Sequence, residues 1–309
     1  MSSLKEIKTR IASVRSTLQI TSAMKMVAAA KLHRAQQAMS GMLPYQEKLQ
    51  SLFDGLLRSE EVSARARAMQ LLPAVDAEER RLEAASGKIV LVAFSSNASL
   101  CGGFNANALK NLQKARLQLI EEGVAEERIE VVTVGKRISD AARKQGFRPV
   151  TAFDGTETSH LVDRPSYADA ARFASYLSGR FRSGEAARIV LLYNHYASNA
   201  SQPSVSEAYL PFAQSGQASC PAPAAAEDLI IEPDSVSLMT DLVPKVLALK
   251  IYAVLLDAQA AEHAARTVAM QMATDNAQKL LEELTLMYNK SRQQKITNEL
   301  LDLVGGMRQ

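Results

Sequence analysis

The apolar residues of the first 42 positions recur at alternating steps of three and four, the spacing of one face of a long α-helix that packs on another helix. Ten of the twelve positions on this seam are apolar, namely Leu4, Ile7, Ile11, Val14, Leu18, Ala28, Leu32, Ala35, Met39 and Met42. The other two, Thr21 and Lys25, are polar, and polar seam positions fix the register of a coiled coil or turn outward to a partner. The pattern predicts a long N-terminal helix, which ends or kinks at Pro44 before the apolar spacing resumes.

The other end of the chain has no proline after Pro244, which predicts a second long helix. Its apolar stripe is predicted at Leu255, Ala258, Ala265, Ala269, Met272, Leu280, Leu284 and Met287. This stripe is narrow and rich in alanine, as suits a helix that pairs with a single partner helix. The two terminal helices are therefore expected to pair with each other.

The middle of the chain alternates short apolar runs with helical patterns. Strands are predicted at 89–94, 129–134 and 189–193, and an edge strand at 205–212. Strands that alternate with helices indicate an α/β fold with a largely parallel sheet. The predicted divisions are an N-terminal coiled-coil helix at 1–58, an insertion at 59–87, the α/β body at 88–213, an insertion at 214–241 and a C-terminal coiled-coil helix at 242–309.

Charge adds one feature to this picture. The net charge is only +3, but the stretch from Ile7 to Gln46 contains no Asp or Glu and six Lys or Arg residues. Six cations over this length are sparse for a nucleic-acid site and lie among apolar seam residues, so we expect no nucleic-acid partner. A solvated positive face is one interpretation, and an acidic protein partner is the other. No apolar run approaches the roughly 20 residues of a transmembrane helix.

No constellation in the chain predicts catalysis. The loop 95–105 follows a strand, but its adjacent glycines fit neither GxGxxG nor a P-loop, so a tight turn is favoured over phosphate binding. The four histidines are scattered, and Cys101 and Cys220 lack metal-ligand spacing. No catalytic residue, cofactor or metal site is predicted.

Short motifs along the chain resemble the γ subunit family of F-type ATP synthases. They are TSAMKMVAAAKL at 21–32, LCGGFN at 100–105, EHAAR at 262–266, ATDNA at 273–277, LMYNKSRQ at 286–293 and ITNELLD at 296–302. The motifs stand in the family's order and span nearly the whole chain.

The resemblance implies a central rotor shaft that is not itself catalytic. In that family the terminal helices form an antiparallel coiled coil inside an α3β3 hexamer, and a Rossmann-like α/β body joins the ε subunit on the membrane c-ring. Rotation of the ring, driven by protons or sodium ions, changes the conformation of the catalytic sites on β. The family's β-contacting positions fall on Met24, Lys25, Arg266, Arg292, Gln293, Thr297 and Glu299.

The resemblance also implies a location, and alternatives remain. The expected place is the cytoplasmic side of a bacterial inner membrane, held peripherally through the complex, with no transit peptide. The alternatives are a coiled-coil adaptor or scaffold with an α/β head, and a nucleotide-binding enzyme. Self-pairing without affinity for ATPase subunits would indicate the first, and nucleotide binding by the purified chain would indicate the second.

Overall fold

The computed structural model describes residues 4–57, 87–211 and 235–306, so most of the two predicted insertions lies outside the described residues. The elements in chain order are α1 (Leu4–Leu57), β1 (Lys88–Phe94), α2 (Phe104–Glu121), a 3₁₀ turn (Glu126–Arg128), β2 (Ile129–Val134), α3 (Lys136–Lys144), β3 (Ala152–Phe153), β4 (Thr156–Glu157), α4 (His160–Asp163), α5 (Tyr167–Arg182), β5 (Ala186–Asn194), β6 (Ser204–Leu210) and α6 (Ser235–Gly306). They form two compact units, the tip unit (residues 1–30 and 266–309) and the body unit (residues 31–265).

The body unit is built on a four-stranded sheet in the order β2-β1-β5-β6. The central strand β1 runs parallel to both β2 and β5, and β6 is antiparallel on one edge. The six residues from Ile89 to Phe94 are all buried, which explains the continuous apolar run, because β1 is covered on both faces. The prediction of a mostly parallel α/β fold is confirmed, and the predicted edge strand is β6.

Helices cover both faces of this sheet. On one face α2 and α3 pack Leu112 and Ile138 against Leu91 and Leu192, all of them at most 1% exposed. On the other face Phe173 of α5 joins residues from α1 and α6 in a larger core. Full burial of such side chains contributes about 1.5–3 kcal/mol each. The C-terminal part of α1 and the N-terminal part of α6 therefore belong to the core of the body unit.

The terminal helices pass through their prolines. Helix α1 continues beyond Pro44 to Leu57, so it does not restart at a turn, and Leu49 and Phe53 are buried beyond that point. Helix α6 begins at Ser235 and contains Pro244. The pattern missed this start because it lies ahead of the proline. The hairpin of β3 and β4 and the short helix α4 were also not predicted.

Two features at the ends of β2 hold the sheet together. At its start, the Glu130 carboxylate pairs with Arg180 and with Lys88. Burial by itself would raise the pKa of the Glu130 carboxyl, but the hydrogen bonds from Arg180 and Lys88 outweigh it and lower the pKa. At its end, Gly135 has a φ of +117° and approaches Ser95 so closely that a Cβ would lie 2.5 Å from the Ser95 carbonyl oxygen. Only glycine fits this close approach.

Candidate functional site

The inner face of α1 follows the predicted seam. All twelve seam positions from Leu4 to Met42 are buried or half-buried, and most of the positions between them are exposed. Ile7 is 4% exposed and Ala28 is 2% exposed. The heptad prediction is confirmed, and the seam buries only a narrow stripe of the helix.

The stripe predicted on α6 is partly wrong. Met272, Leu280 and Met287 are 61%, 37% and 50% exposed. The inner face of the tip unit instead carries Met270, Ala277, Leu281, Leu284, Tyr288 and Ser291, which are buried or half-buried. Apolar residues occupy two faces of this helix, and the spacing alone could not tell which face packs inward.

The two polar seam residues of α1 meet polar partners on α6. The Thr274 hydroxyl lies 3.0 Å from the Thr21 hydroxyl oxygen, and the Lys25 ammonium donates to the Gln271 side-chain oxygen at 2.8 Å. Moving four residues forward on α1 moves three residues backward on α6, so the helices run antiparallel. Hydrogen bonds between seam side chains favour one register over its neighbours, and Thr21 and Lys25 therefore help to fix the pairing of the tip unit.

The predicted contact residues fall into two separate groups. Met24 and Lys25 are half-buried, and Arg266 is half-buried about five residues from Gln271, roughly 8 Å along α6. The other four residues, Arg292, Gln293, Thr297 and Glu299, are exposed. Helical rise separates Arg266 from Arg292 by about 40 Å, so the structure does not bring the seven residues into one site.

Ten consecutive residues of α6 beyond Ser291 are exposed. Every residue from Arg292 to Leu301 is exposed, since the antiparallel register places Leu4 of α1 near residue 291. Glu299 pairs with Lys295 at 3.6 Å across one helical turn, where both side chains are more than 60% exposed. Such exposed pairs contribute little to stability, so Glu299 can exchange this partner for another at small cost.

Exposed apolar side chains are a feature that the sequence reasoning missed. Ile20, Met26 and Val27 on α1 are 58–62% exposed, and on α6 Leu286 is 71% exposed and Leu301 is 63% exposed. Large apolar groups exposed over a helical surface mark contact with another molecule. The sequence could have indicated these exposed residues, because they are apolar residues at positions that do not belong to the seam.

The loop after β1 satisfies its polar groups internally. Its Ser96 hydroxyl donates to the Ala98 carbonyl at 2.6 Å, and the Ser96 N–H donates to the Asn105 side chain at 3.2 Å. The Asn105 amide in turn donates to the Cys101 sulfur at 3.1 Å. These bonds occupy groups that a phosphate would need, which favours the tight-turn interpretation.

A metal-binding cluster and a membrane-spanning helix are both absent from the described residues. No group of three or more His, Cys, Asp or Glu side chains within ranges 4–57, 87–211 and 235–306 could hold a metal ion. Over these same ranges, none of the helices is both long enough and apolar enough to cross a membrane.

Comparison with known proteins gives consistent matches over the whole chain. Residues 3–308 match the ATP synthase family. The ATP synthase gamma chain of Phocaeicola vulgatus is 44% identical over 307 residues, which cover 99% of each chain. That of Bacteroides fragilis is 46% identical over 309 residues, again with 99% of each chain covered.

Solved structures show the same fold. A chain of the Euglena gracilis mitochondrial ATP synthase, in a structure of OSCP, F1 and the c-ring, matches with a TM-score of 0.60 at 19% identity, covering 98% of this chain and 93% of the other. A chain from the rotor of the same enzyme matches with a TM-score of 0.58 at 19% identity, covering 95% and 98%. At this identity the likeness concerns the fold.

Proposed function

The chain belongs to the ATP synthase gamma chain family, and from that premise we propose that it turns inside an α3β3 hexamer and couples rotation of a c-ring to conformational change at the β catalytic sites. It is a central-stalk subunit of an F-type ATP synthase. It is not catalytic, since the catalytic sites of the complex lie on β. The ε subunit and the c-ring are its proposed partners at the body unit.

The exposed apolar surface of the tip unit carries this proposal. A seam that buries one narrow stripe leaves Met26, Met272 and Leu286 exposed, each by more than 60%. A collar of protein around the helices would cover such residues. Between them lie short exposed side chains such as Ala29 and Ala30, which offer a partner little contact area. No single rotary position would therefore be bound strongly.

The positive charge of α1 supports an acidic contact on the β subunit. Lys31 and Arg34 are exposed, and Lys25 is half-buried beside Gln271. No acidic residue occurs from Ile7 to Gln46 to repel an acidic partner. Charges at an interface affect alignment and association rate more than affinity, as a rotating contact requires.

We assign the β contacts to two levels of the helical pair. Met24, Lys25 and Arg266 form the lower level, and the exposed end of α6 forms the upper level with Arg292, Gln293, Thr297 and Glu299. Their separation of about 40 Å, from the helical rise, lets two regions of the hexamer sense the same rotation. A partner can shift a conformational equilibrium only through contacts that differ between the states. The helical pair presents different side chains on its different sides, so each β subunit would meet a different set of contacts as the pair turns.

The complex is membrane-associated. We place this subunit on the cytoplasmic side of a bacterial inner membrane, attached peripherally through its partners. The coupling ion, a proton or a sodium ion, passes through those partners, so this chain needs no ion-binding residue of its own.

Reversal of charge on α1 tests the proposal. The chain is co-expressed with its α, β and ε partners, and ATP hydrolysis and ATP-driven rotation are measured for the wild type and for the triple variant Lys25→Glu, Lys31→Glu and Arg34→Glu. We expect the variant to assemble but to rotate poorly, because three like charges would then face the acidic contact. Each like-charge contact costs energy at an interface.

The matched control reverses three exposed cations of the body unit, Lys110, Lys114 and Arg143. This control keeps the net charge equal to that of the test variant and should rotate normally. Normal rotation by the α1 variant would contradict the acidic contact, and failure of the wild-type chain to bind α and β would contradict the proposed function.

A further inference from the structure

Three consecutive residues at the carboxyl end of β5, Asn194, His195 and Tyr196, each reach a different helix of the body unit. We call them the strand-end anchor. The sequence carries no signal for the role of His195, because its partner Asp257 lies 62 residues away in the chain.

Asn194 connects the sheet to α2. Its side chain is 1% exposed, and its amide donates to the Phe104 carbonyl oxygen at 3.0 Å. Its own side-chain oxygen accepts a hydrogen bond from the Ser204 hydroxyl at 2.8 Å, which fixes the orientation of the amide. The first residue of the anchor thus joins β5, β6 and the start of α2.

His195 connects the sheet to α6 through Asp257. The His195 Nδ1 atom lies 2.7 Å from one Asp257 carboxylate oxygen, and the Tyr196 N–H donates to the other at 2.9 Å. Asp257 is only 7% exposed, although it lies on an otherwise apolar stretch of α6. A buried carboxylate is costly unless several donors compensate it, and both of its oxygens are bonded here.

Tyr196 connects the sheet to α1. Its hydroxyl accepts from the Gln36 side chain at 2.8 Å and donates to Asn199 at 2.8 Å. Its ring packs against two small clusters, one formed by Leu32, Ala35, Ala260 and Ala264 and the other by Cys101, Phe104, Ala261 and Ala265. The tyrosine therefore contacts both terminal helices at once.

The position of the anchor gives it a mechanical meaning. Apolar packing between the sheet and α6 resists separation but has little directional preference, so it allows small rotations of a helix. Hydrogen bonds weaken steeply when their angles change, and they therefore resist such rotations. The anchor bonds α6 at Asp257 and α1 at Gln36, which lie within ten residues along the chain of Ala265 and Lys31, the limits of the body unit on these two helices.

On the basis of the proposed rotor function, we propose that the strand-end anchor transmits torque from the α/β body to the two terminal helices. Asn194, His195 and Tyr196 are positioning residues in this sense, since they act by holding the helices. Loss of one bond should leave the fold intact and make the connection between body and helices softer to twist.

A single-molecule measurement tests this directly. The α3β3 hexamer is fixed to a surface, and a bead is attached to the body through a cysteine introduced at the exposed Lys114, in a Cys220→Ser background. The angular variance of the bead during catalytic dwells is inversely proportional to torsional stiffness. Two connections of the anchor reach the terminal helices, one at Asp257 of α6 and one at Gln36 of α1. If they are equal and act in parallel, loss of one in Asp257→Asn should raise the variance about twofold, hydrogen bonds being of similar net strength.

Tyr196→Phe is the second variant, since it keeps the ring and removes only the hydroxyl, and it should raise the variance by a similar factor. His33→Ala is the matched control, because His33 is exposed on the same helix as Gln36, and its variance should equal that of the wild type. Wild-type variance in both anchor variants would overturn the inference, even if their melting temperatures fell, because that result indicates a role in stability alone. A wild-type complex that fails to rotate would instead overturn the proposed function and this inference with it.

Discussion

Gly135→Ala should destabilise the body unit severely, and its cost can be worked from the structure. A Cβ at this position would lie 2.5 Å from the Ser95 carbonyl oxygen and 2.7 Å from its hydroxyl oxygen. The φ of +117° would add a strained backbone, which costs a residue other than glycine about 1–3 kcal/mol.

Ser95 cannot move aside freely. Its N–H donates to the Val134 carbonyl oxygen at 2.8 Å, and its hydroxyl oxygen accepts from the Ile138 N–H at 3.0 Å. Loss of both bonds would cost about 2 kcal/mol, at roughly 1 kcal/mol each. Strain and displacement together give about 3–5 kcal/mol, a large share of the 5–15 kcal/mol that is usual for folded proteins.

Gly146→Ala is the matched control, because Gly146 has a φ of +84° and no atom lies within 4 Å of the point that its Cβ would occupy. It carries the strain without the collision, so it should cost about 1–3 kcal/mol. Urea unfolding, followed by hydrogen exchange in peptides that cover β1 and β2, measures both variants. If the two lose equal stability, within about 0.5 kcal/mol, the collision with Ser95 is refuted.

Three further predictions concern the seam, the rim of the sheet and the end of α6. Ala28→Leu should cost about 1–3 kcal/mol of unfolding free energy, because the seam has no space for a larger side chain. The control Ala29→Leu, at the exposed neighbouring position, should cost less than about 0.5 kcal/mol in the same urea titration. Equal costs would contradict the burial of Ala28 in the seam. Glu130→Gln should cost about 1.5–3 kcal/mol at pH 7, since it weakens charged hydrogen bonds from Arg180 and Lys88. Folding lowers the pKa of the Glu130 carboxyl, so the stability that this carboxylate contributes is fully present above about pH 4.5 and is lost as the pH falls through the folded pKa. The difference in melting temperature between the wild type and Glu130→Gln should therefore shrink at acid pH. A difference that stays constant with pH would count against the pairing. Truncation after Lys290 should leave the melting temperature of the chain almost unchanged and impair ATP-driven rotation, and unfolding of the whole chain would contradict the exposure of residues 292–301.

The sequence predicted the strands and the seam of α1 well, because their buried positions are occupied by apolar residues in a regular pattern. Ile129–Val134 is apolar at most positions and matches β2 in both bounds. The heptad spacing of α1 was equally clear because ten of its twelve seam positions are apolar, although Ile20, Met26 and Val27 lie off the seam. Spacing is enough to identify the buried face where it is sustained over many helical turns.

Two parts of the molecule could not be read in this way. The inner face of α6 was ambiguous because Met270 and Met272 are equally apolar, and only the partner helix decides which one is buried. The bond between His195 and Asp257 joins residues that are far apart in sequence, and neither residue has a neighbour that signals it. The domain divisions and the seven contacts with β stay predictions.

The exposed apolar residues of the helical pair also affect how a cell must handle this chain before assembly. Leu286, Leu300 and Leu301 are each at least 58% exposed along a single helix. An orphan copy would offer this surface to other orphan copies, to chaperones and to proteases that select exposed apolar segments. The amount of the chain that persists should therefore follow the supply of hexamer, and overproduction of the chain by itself should yield aggregates or fragments in place of a larger pool of intact protein.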